Sequence, residues 1–122
     1  LCLIVQVESS KGVENVEAIA AVEGVDAVFI GPADLSTGLG HISNPSHPEV
    51  QQQIRHAIDA TLAAGKVCGI LAPAEEDARR YMSWGCQFVA VGIDISLLRQ
   101  AAKENLARYR ETPDAAPASR TY

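Results

Sequence analysis

The chain has 122 residues, 48% of them apolar, and 15 acidic against 10 basic residues give a net charge of −5. That length supports one domain with one core. The acidic balance, without any basic cluster, argues against nucleic acid and anionic membrane as partners, and no apolar run approaches the ~20 residues of a bilayer span.

Four units of strand then helix are expected in chain order. The strands are Cys2–Val7, Ala27–Ile30, Val67–Leu71 and Phe88–Val91. They are rich in Val and Ile and nearly uninterrupted, as fully buried parallel strands are. The helices show 3.6-residue stripes: Val13, Val16, Ile19 and Ala20; then Val50, Ile54, Ala57, Ile58 and Leu62. Ala74, Ala78, Tyr81 and Met82 form the third stripe, and Leu98, Ala101, Ala102, Leu106 and Tyr109 the fourth. Each faces away from a charged side.

The boundaries carry their own signals. Ser46-His47-Pro48-Glu49 reads as a capping box with proline in the first turn. Gly24, Gly65 and Gly85 follow the first three helices as stops, and Ser96 is placed to cap the fourth. Residues 1–111 form the domain. Beyond them the composition turns to Pro, Ala, Ser and Thr, so 112–122 is expected to be an irregular tail. The first residue, Leu1, already lies in a strand-like run, so the chain reads as a piece of a longer protein.

Alternating strands and helices imply a parallel sheet with right-handed crossovers. An open doubly wound sheet and part of a (β/α)8 barrel both satisfy the pattern. A whole barrel takes about 250 residues. Four units beginning inside a strand fit half a barrel, and no Gly-rich phosphate turn follows any strand. Cys2, Cys68 and Cys86 are odd in number and lack metal spacing, so they read as reduced, buried small hydrophobes of a cytoplasmic protein.

The chemistry concentrates at strand ends. The first strand ends in Gln6-Val7-Glu8 and the second in Gly31-Pro32-Ala33-Asp34. Alternation puts Gln6 and Glu8 on one face, inward in a barrel, with Glu8 at the mouth. Asp34 enters a short helical segment, where the backbone N–H groups around Ala33 and Asp34 attract an anion. Two unpaired carboxylates at buried strand ends are costly, and a cation commonly compensates them. Carboxylates without nearby Cys or His select a hard ion, Mg²⁺ or Mn²⁺. A capping role is the alternative for each acid. His41 is expected as a solvated loop residue on the side of Asp34, His47 as structural, His56 as solvated, and Asp94 as a helix cap.

Val5-Gln6-Val7-Glu8, Gly31-Pro32-Ala33-Asp34-Leu35, Asn44-Pro45-Ser46-His47-Pro48-Glu49-Val50, Gly69-Ile70-Leu71-Ala72 and Phe88-Val89-Ala90-Val91-Gly92-Ile93-Asp94 together resemble the carboxyl half of the HpcH/HpaI aldolase family. The resemblance implies half of a TIM barrel. It implies a metal-dependent, class II pyruvate aldolase that cleaves a 4-hydroxy-2-oxo acid, of the 2-keto-3-deoxy sugar acid or 4-hydroxy-2-oxoheptanedioate type, to pyruvate and an aldehyde. It implies Mg²⁺, Mn²⁺ or Co²⁺ held by Glu8 and Asp34, with the pyruvate carboxylate on the backbone of Ala33 and Asp34. Gln6 matches a glutamine beside the metal waters, and Leu71 a position lining the aldehyde end. The family's His–acid base and its arginine belong to the other half, so this chain alone is expected to be inactive. A homo-oligomer, a hexamer exchanging its last helix, is also implied, and Arg120-Thr121-Tyr122 matches the ending of some members.

Two other readings compete. A receiver-like Mg²⁺-binding signalling domain needs an acidic pair after the first strand and a lysine after the last, and neither is present. An acyl-CoA lyase of the same superfamily calls for basic residues at the strand ends to meet the CoA phosphates, and none is placed there.

Overall fold

A computed structural model describes residues 1–110. The tail 112–122, with its Arg120-Thr121-Tyr122 ending, lies outside the described residues. The elements run β1 (Ile4–Val7), α1 (Ser10–Glu14), α2 (Val16–Ala20), β2 (Ala27–Ile30), α3 (Pro32–Gly38), α4 (Pro48–Ala63), β3 (Val67–Leu71), α5 (Glu75–Ser83), β4 (Phe88–Ala90) and α6 (Asp94–Ala107). The chain divides into two compact units, Leu1–Gly92 and a second beginning at Ile93.

In the first unit all four strands are parallel and stand in chain order, β1-β2-β3-β4. This order decides between the expected architectures. A doubly wound sheet, the receiver type included, reverses its strand order at a switch point, whereas successive strands of a (β/α)8 barrel are neighbours. The observed sheet has no reversal, so it has the strand sequence of a barrel segment.

The two sheet faces differ. Val7, Val28, Ile30, Cys68 and Ile70 point to the helices and are buried with Val13, Val16, Val50, Ile54, Ile58 and Tyr81. Removing each such side chain from water contributes about 1.5–3 kcal/mol. The opposite face carries Ile4, Phe29, Val67 and Phe88. Ile4 is 42% exposed and Phe88 48%, so this face is bare among the described residues. Phe29 and Phe88 meet across it, ring centroids 5.5 Å apart. Gly69, registered between them, makes room: a Cβ there would lie 2.8 Å from Phe29 Cδ2 and 2.9 Å from the Phe88 carbonyl oxygen.

Local details depart from expectation at several points. β1 begins at Ile4, and Cys2 precedes it, exposed rather than buried. β4 ends at Ala90, one residue early. The first helix is broken at Asn15, whose side-chain Nδ2 donates to the Lys11 carbonyl at 2.7 Å, although the Val13–Val16–Ala20 stripe stays buried across the break. His47, not Ser46, is the N-cap of α4: its Nδ1 accepts from the Glu49 N–H at 3.3 Å, and Pro48 follows at the first helical position. α6 begins at Asp94 with Ile93 as its N-cap, so neither Asp94 nor Ser96 is the cap expected; Asp94 stands in the first turn, its Oδ1 accepting from the Ile95 N–H at 2.7 Å. Met82 of the third stripe is exposed. Gly65 and Gly85 follow the C-caps of α4 and α5 with φ of 71° and 105°, the left-handed geometry of a helix stop, whereas Gly24, at φ 89°, lies in the turn beyond Ala21, the C-cap of α2, and does not end that helix. Cys68 and Cys86 are buried free thiols, their sulfurs 3.8 Å apart. Sharing one hydrogen bond pushes the Cys68 thiol up and holds Cys86 below the usual thiol range.

In the second unit, α6 buries none of its residues; Leu98 and Leu106 of its apolar stripe are open, and Tyr109, expected on the same stripe, lies past the helix end at Ala107 and is exposed. No helix among the described residues is long and apolar enough to cross a membrane.

Candidate active site

At the carboxyl end of β1 the structure brings Gln6 and Glu8 into contact, and Asp34 enters the first turn of the helix that follows β2. Gln6 and Glu8 do share the face away from the helices: Gln6 Nε2 donates to Glu8 Oε2 at 2.6 Å. Glu8 is not a cap, because Ser9 takes that role for α1, its Oγ accepting from the Gly12 N–H at 3.1 Å. The β1–β2 ladder runs on past the Val7–Ile30 pair, with the Gly31 N–H bonded to the Val7 carbonyl at 3.0 Å.

That continuation lays Gly31 against Glu8. A Cβ at position 31 would sit 2.9 Å from Glu8 Cβ, 3.1 Å from Glu8 Oε2 and 3.3 Å from Gln6 Nε2. The absent side chain leaves space beside a carboxylate and an amide. From Gly31 the chain turns straight into α3, with Pro32 at its start and Asp34 in its first turn. The Leu35 N–H bonds back to the Gly31 carbonyl at 3.1 Å. The N–H groups of Ala33 and Asp34, one step earlier, have no carbonyl of their own helix to meet. Ala33 and Asp34 are exposed, while Leu35 and Ser36 anchor the helix in the interior.

Neither acid has a cationic partner: among the described residues no lysine or arginine forms an ion pair with Glu8 or Asp34. Both are exposed, however. The expected burial penalty therefore does not act on them in this half-open sheet, and their candidacy rests on donor type and on their places just after β1 and β2. The donor set fits a hard divalent ion: two carboxylates on adjoining strand ends, a glutamine fixing one of them, and the cleared space over Gly31.

Leu71 closes β3 on the same face as Gly69, in register with Ala90, and is half-buried. Just past it lies an open cleft of about 330 Å³, lined by Ala72, Pro73, Ala78, Met82 and Val91. His56 is exposed, as expected. His41 is not a free loop residue: with His47 and Glu49 it forms a cluster whose ligand atoms lie within 4.8 Å of one another. The signal for this cluster in the sequence is a His-Pro-Glu run at a helix start with a histidine six residues before it.

Comparison with known proteins bears on this geometry. The sequence profile of the HpcH/HpaI aldolase/citrate lyase family matches residues 1–101. A hydroxypyruvate/pyruvate aldolase of Delftia acidovorans is 71% identical over all of this chain, which spans 46% of that protein. A 5-keto-4-deoxy-D-glucarate aldolase of Citrobacter koseri is 56% identical over 85% of the chain and 40% of its own length. The crystal structure of an HpcH/HpaI aldolase/citrate lyase family protein from Burkholderia cenocepacia superposes with a TM-score of 0.85 at 40% identity, covering 91% of this chain and 43% of that one. The chain thus spans less than half the length of the relatives it matches.

Proposed function

The chain belongs to the HpcH/HpaI aldolase/citrate lyase family, and on that premise we propose that the protein containing it is a class II aldolase that releases pyruvate from a 4-hydroxy-2-oxo acid. The observation that carries this reading is the Gln6–Glu8–Gly31 arrangement, with Asp34 in the first turn of the helix that opens at Gly31. Glu8 and Asp34 would hold a divalent cation, Mg²⁺ or Mn²⁺ by their hardness. When bound, that ion supplies Lewis-acid stabilisation of the enolate formed on carbon–carbon cleavage. Gln6 orients the Glu8 carboxylate. The backbone of Ala33 and Asp34 receives the pyruvate carboxylate, and Leu71 borders the aldehyde end.

The chain supplies the carboxyl half of the barrel in this reading. The bare sheet face and the share of the relatives' length both support a missing half. The proton-transferring base and the cationic group at the keto oxygen come from that other half, so these 122 residues alone are inactive.

A Schiff-base mechanism needs a buried, neutral lysine near the site. Lys11 and Lys103 are exposed, and Lys66, just before β3, donates to the Val25 carbonyl at 2.7 Å, at the end of the sheet away from Glu8. Borohydride added to the full-length enzyme with pyruvate should therefore leave activity intact and give no adduct by mass spectrometry. A reduced pyruvyl adduct on Lys11, Lys66 or Lys103 would refute the class II assignment.

A further inference from the structure

The loop between α3 and α4 assembles a second set of metal-binding side chains. It leaves α3 through Gly40, at φ 84°, and is tied down by the His41 N–H on the Ser36 carbonyl at 2.8 Å. Ser43 takes a left-handed φ of 57°, and the His47 N–H closes onto the Asn44 carbonyl at 3.2 Å. This path stacks the His41 and His47 rings, centroids 3.5 Å apart. His41 Nε2 lies 2.7 Å from Glu49 Oε2, and His47 Nδ1 faces the Glu49 N–H. Both histidines are half-buried, and no lysine or arginine among the described residues pairs with Glu49.

We propose that His41, His47 and Glu49 form a second divalent-metal site, suited to Zn²⁺, Co²⁺ or Ni²⁺ and distinct from the Glu8–Asp34 pair. Two imidazoles and a carboxylate are the donors that borderline ions take, with water in the open position. The all-oxygen pair prefers a harder ion, so the two sites sort metals by donor chemistry. The stacked rings, 16° from parallel, run their lone pairs side by side. Binding therefore requires one imidazole to turn out of the stack, and the ion replaces the long Glu49 N–H contact at His47 Nδ1. A bound ion would clasp the loop that follows the Asp34 helix to the start of α4.

The test is calorimetry on the metal-free full-length protein with ZnCl2 and MgCl2 separately. The Glu8→Ala/Asp34→Ala double variant should still bind one Zn²⁺ per chain. Adding His41→Ala to it should weaken that binding at least tenfold, and Co²⁺ should lose its visible absorption in parallel. His41→Ala leaves the His47 cap in place, so the fold is kept, as circular dichroism will verify. In an otherwise wild-type background, His41→Ala should leave Mg²⁺ binding unchanged. Zn²⁺ affinity that is indifferent to His41→Ala and to Glu49→Gln in the double-variant background would overturn the proposal, as would no Zn²⁺ binding by a folded double variant. The Mg²⁺ titration of the double variant reports separately on the Glu8–Asp34 site.

Discussion

Gln6 Nε2 donates to Glu8 Oε2 at 2.6 Å, across the single intervening residue of β1. The contact needs both side chains on one sheet face, so the two-residue alternation of a strand converts a sequence spacing into a fixed carboxylate. Gln6→Ala should leave the fold intact and release the Glu8 carboxylate. The expected result in the full-length enzyme is a several-fold weaker metal affinity and a lower kcat. Gln6→Glu should be worse, because it sets a second negative charge against Glu8. Calorimetry and steady-state kinetics on the two variants check this order.

Gly31→Ala introduces a methyl group 2.9 Å from Glu8 Cβ. Overpacking of this kind costs about 1–3 kcal/mol, and here it also displaces the candidate ligand. Gly38, in α3, has nothing within 4 Å of an added Cβ. Gly38→Ala should be neutral or stabilising by about 0.5–1 kcal/mol, since alanine is the better helix former. Thermal melts of both variants, with metal titration of Gly31→Ala, separate the two effects.

The open stripe of α6 predicts association. Leu98 and Leu106 are exposed on a helix that buries nothing, with Tyr109 exposed just past its end, and such a surface normally meets a partner. Sedimentation of the full-length protein should show an oligomer. Replacing Leu98 and Leu106 with glutamate should shift it to smaller species.

Much of this fold was legible because periodicity and helix stops are local. The α4 stripe from Val50 to Ile58 and the stops at Gly65 and Gly85 are found as read, whereas α2 is capped at Ala21, ahead of Gly24. Strand order was not legible, since alternating strands and helices suit both open sheets and barrels until the pairing is seen. The misplaced caps show competition between neighbours. His47 offers Nδ1 to the Glu49 N–H where Ser46 was expected to act, and Asp94 starts α6 before Ser96 is reached. Glu8 and Gln6 were predicted to share a face because strand alternation leaves little choice. The His41–His47–Glu49 cluster depends on the course of an irregular loop, which no period describes.

Metal binding by the full-length protein tests the central claim most directly. Calorimetry with Mg²⁺ and Mn²⁺ should give one site per chain. Glu8→Ala and Asp34→Ala should each lower its affinity at least tenfold, and chelation should abolish pyruvate release until Mg²⁺ or Mn²⁺ is restored. Unchanged affinity in both variants, with full activity after exhaustive chelation, would contradict the account.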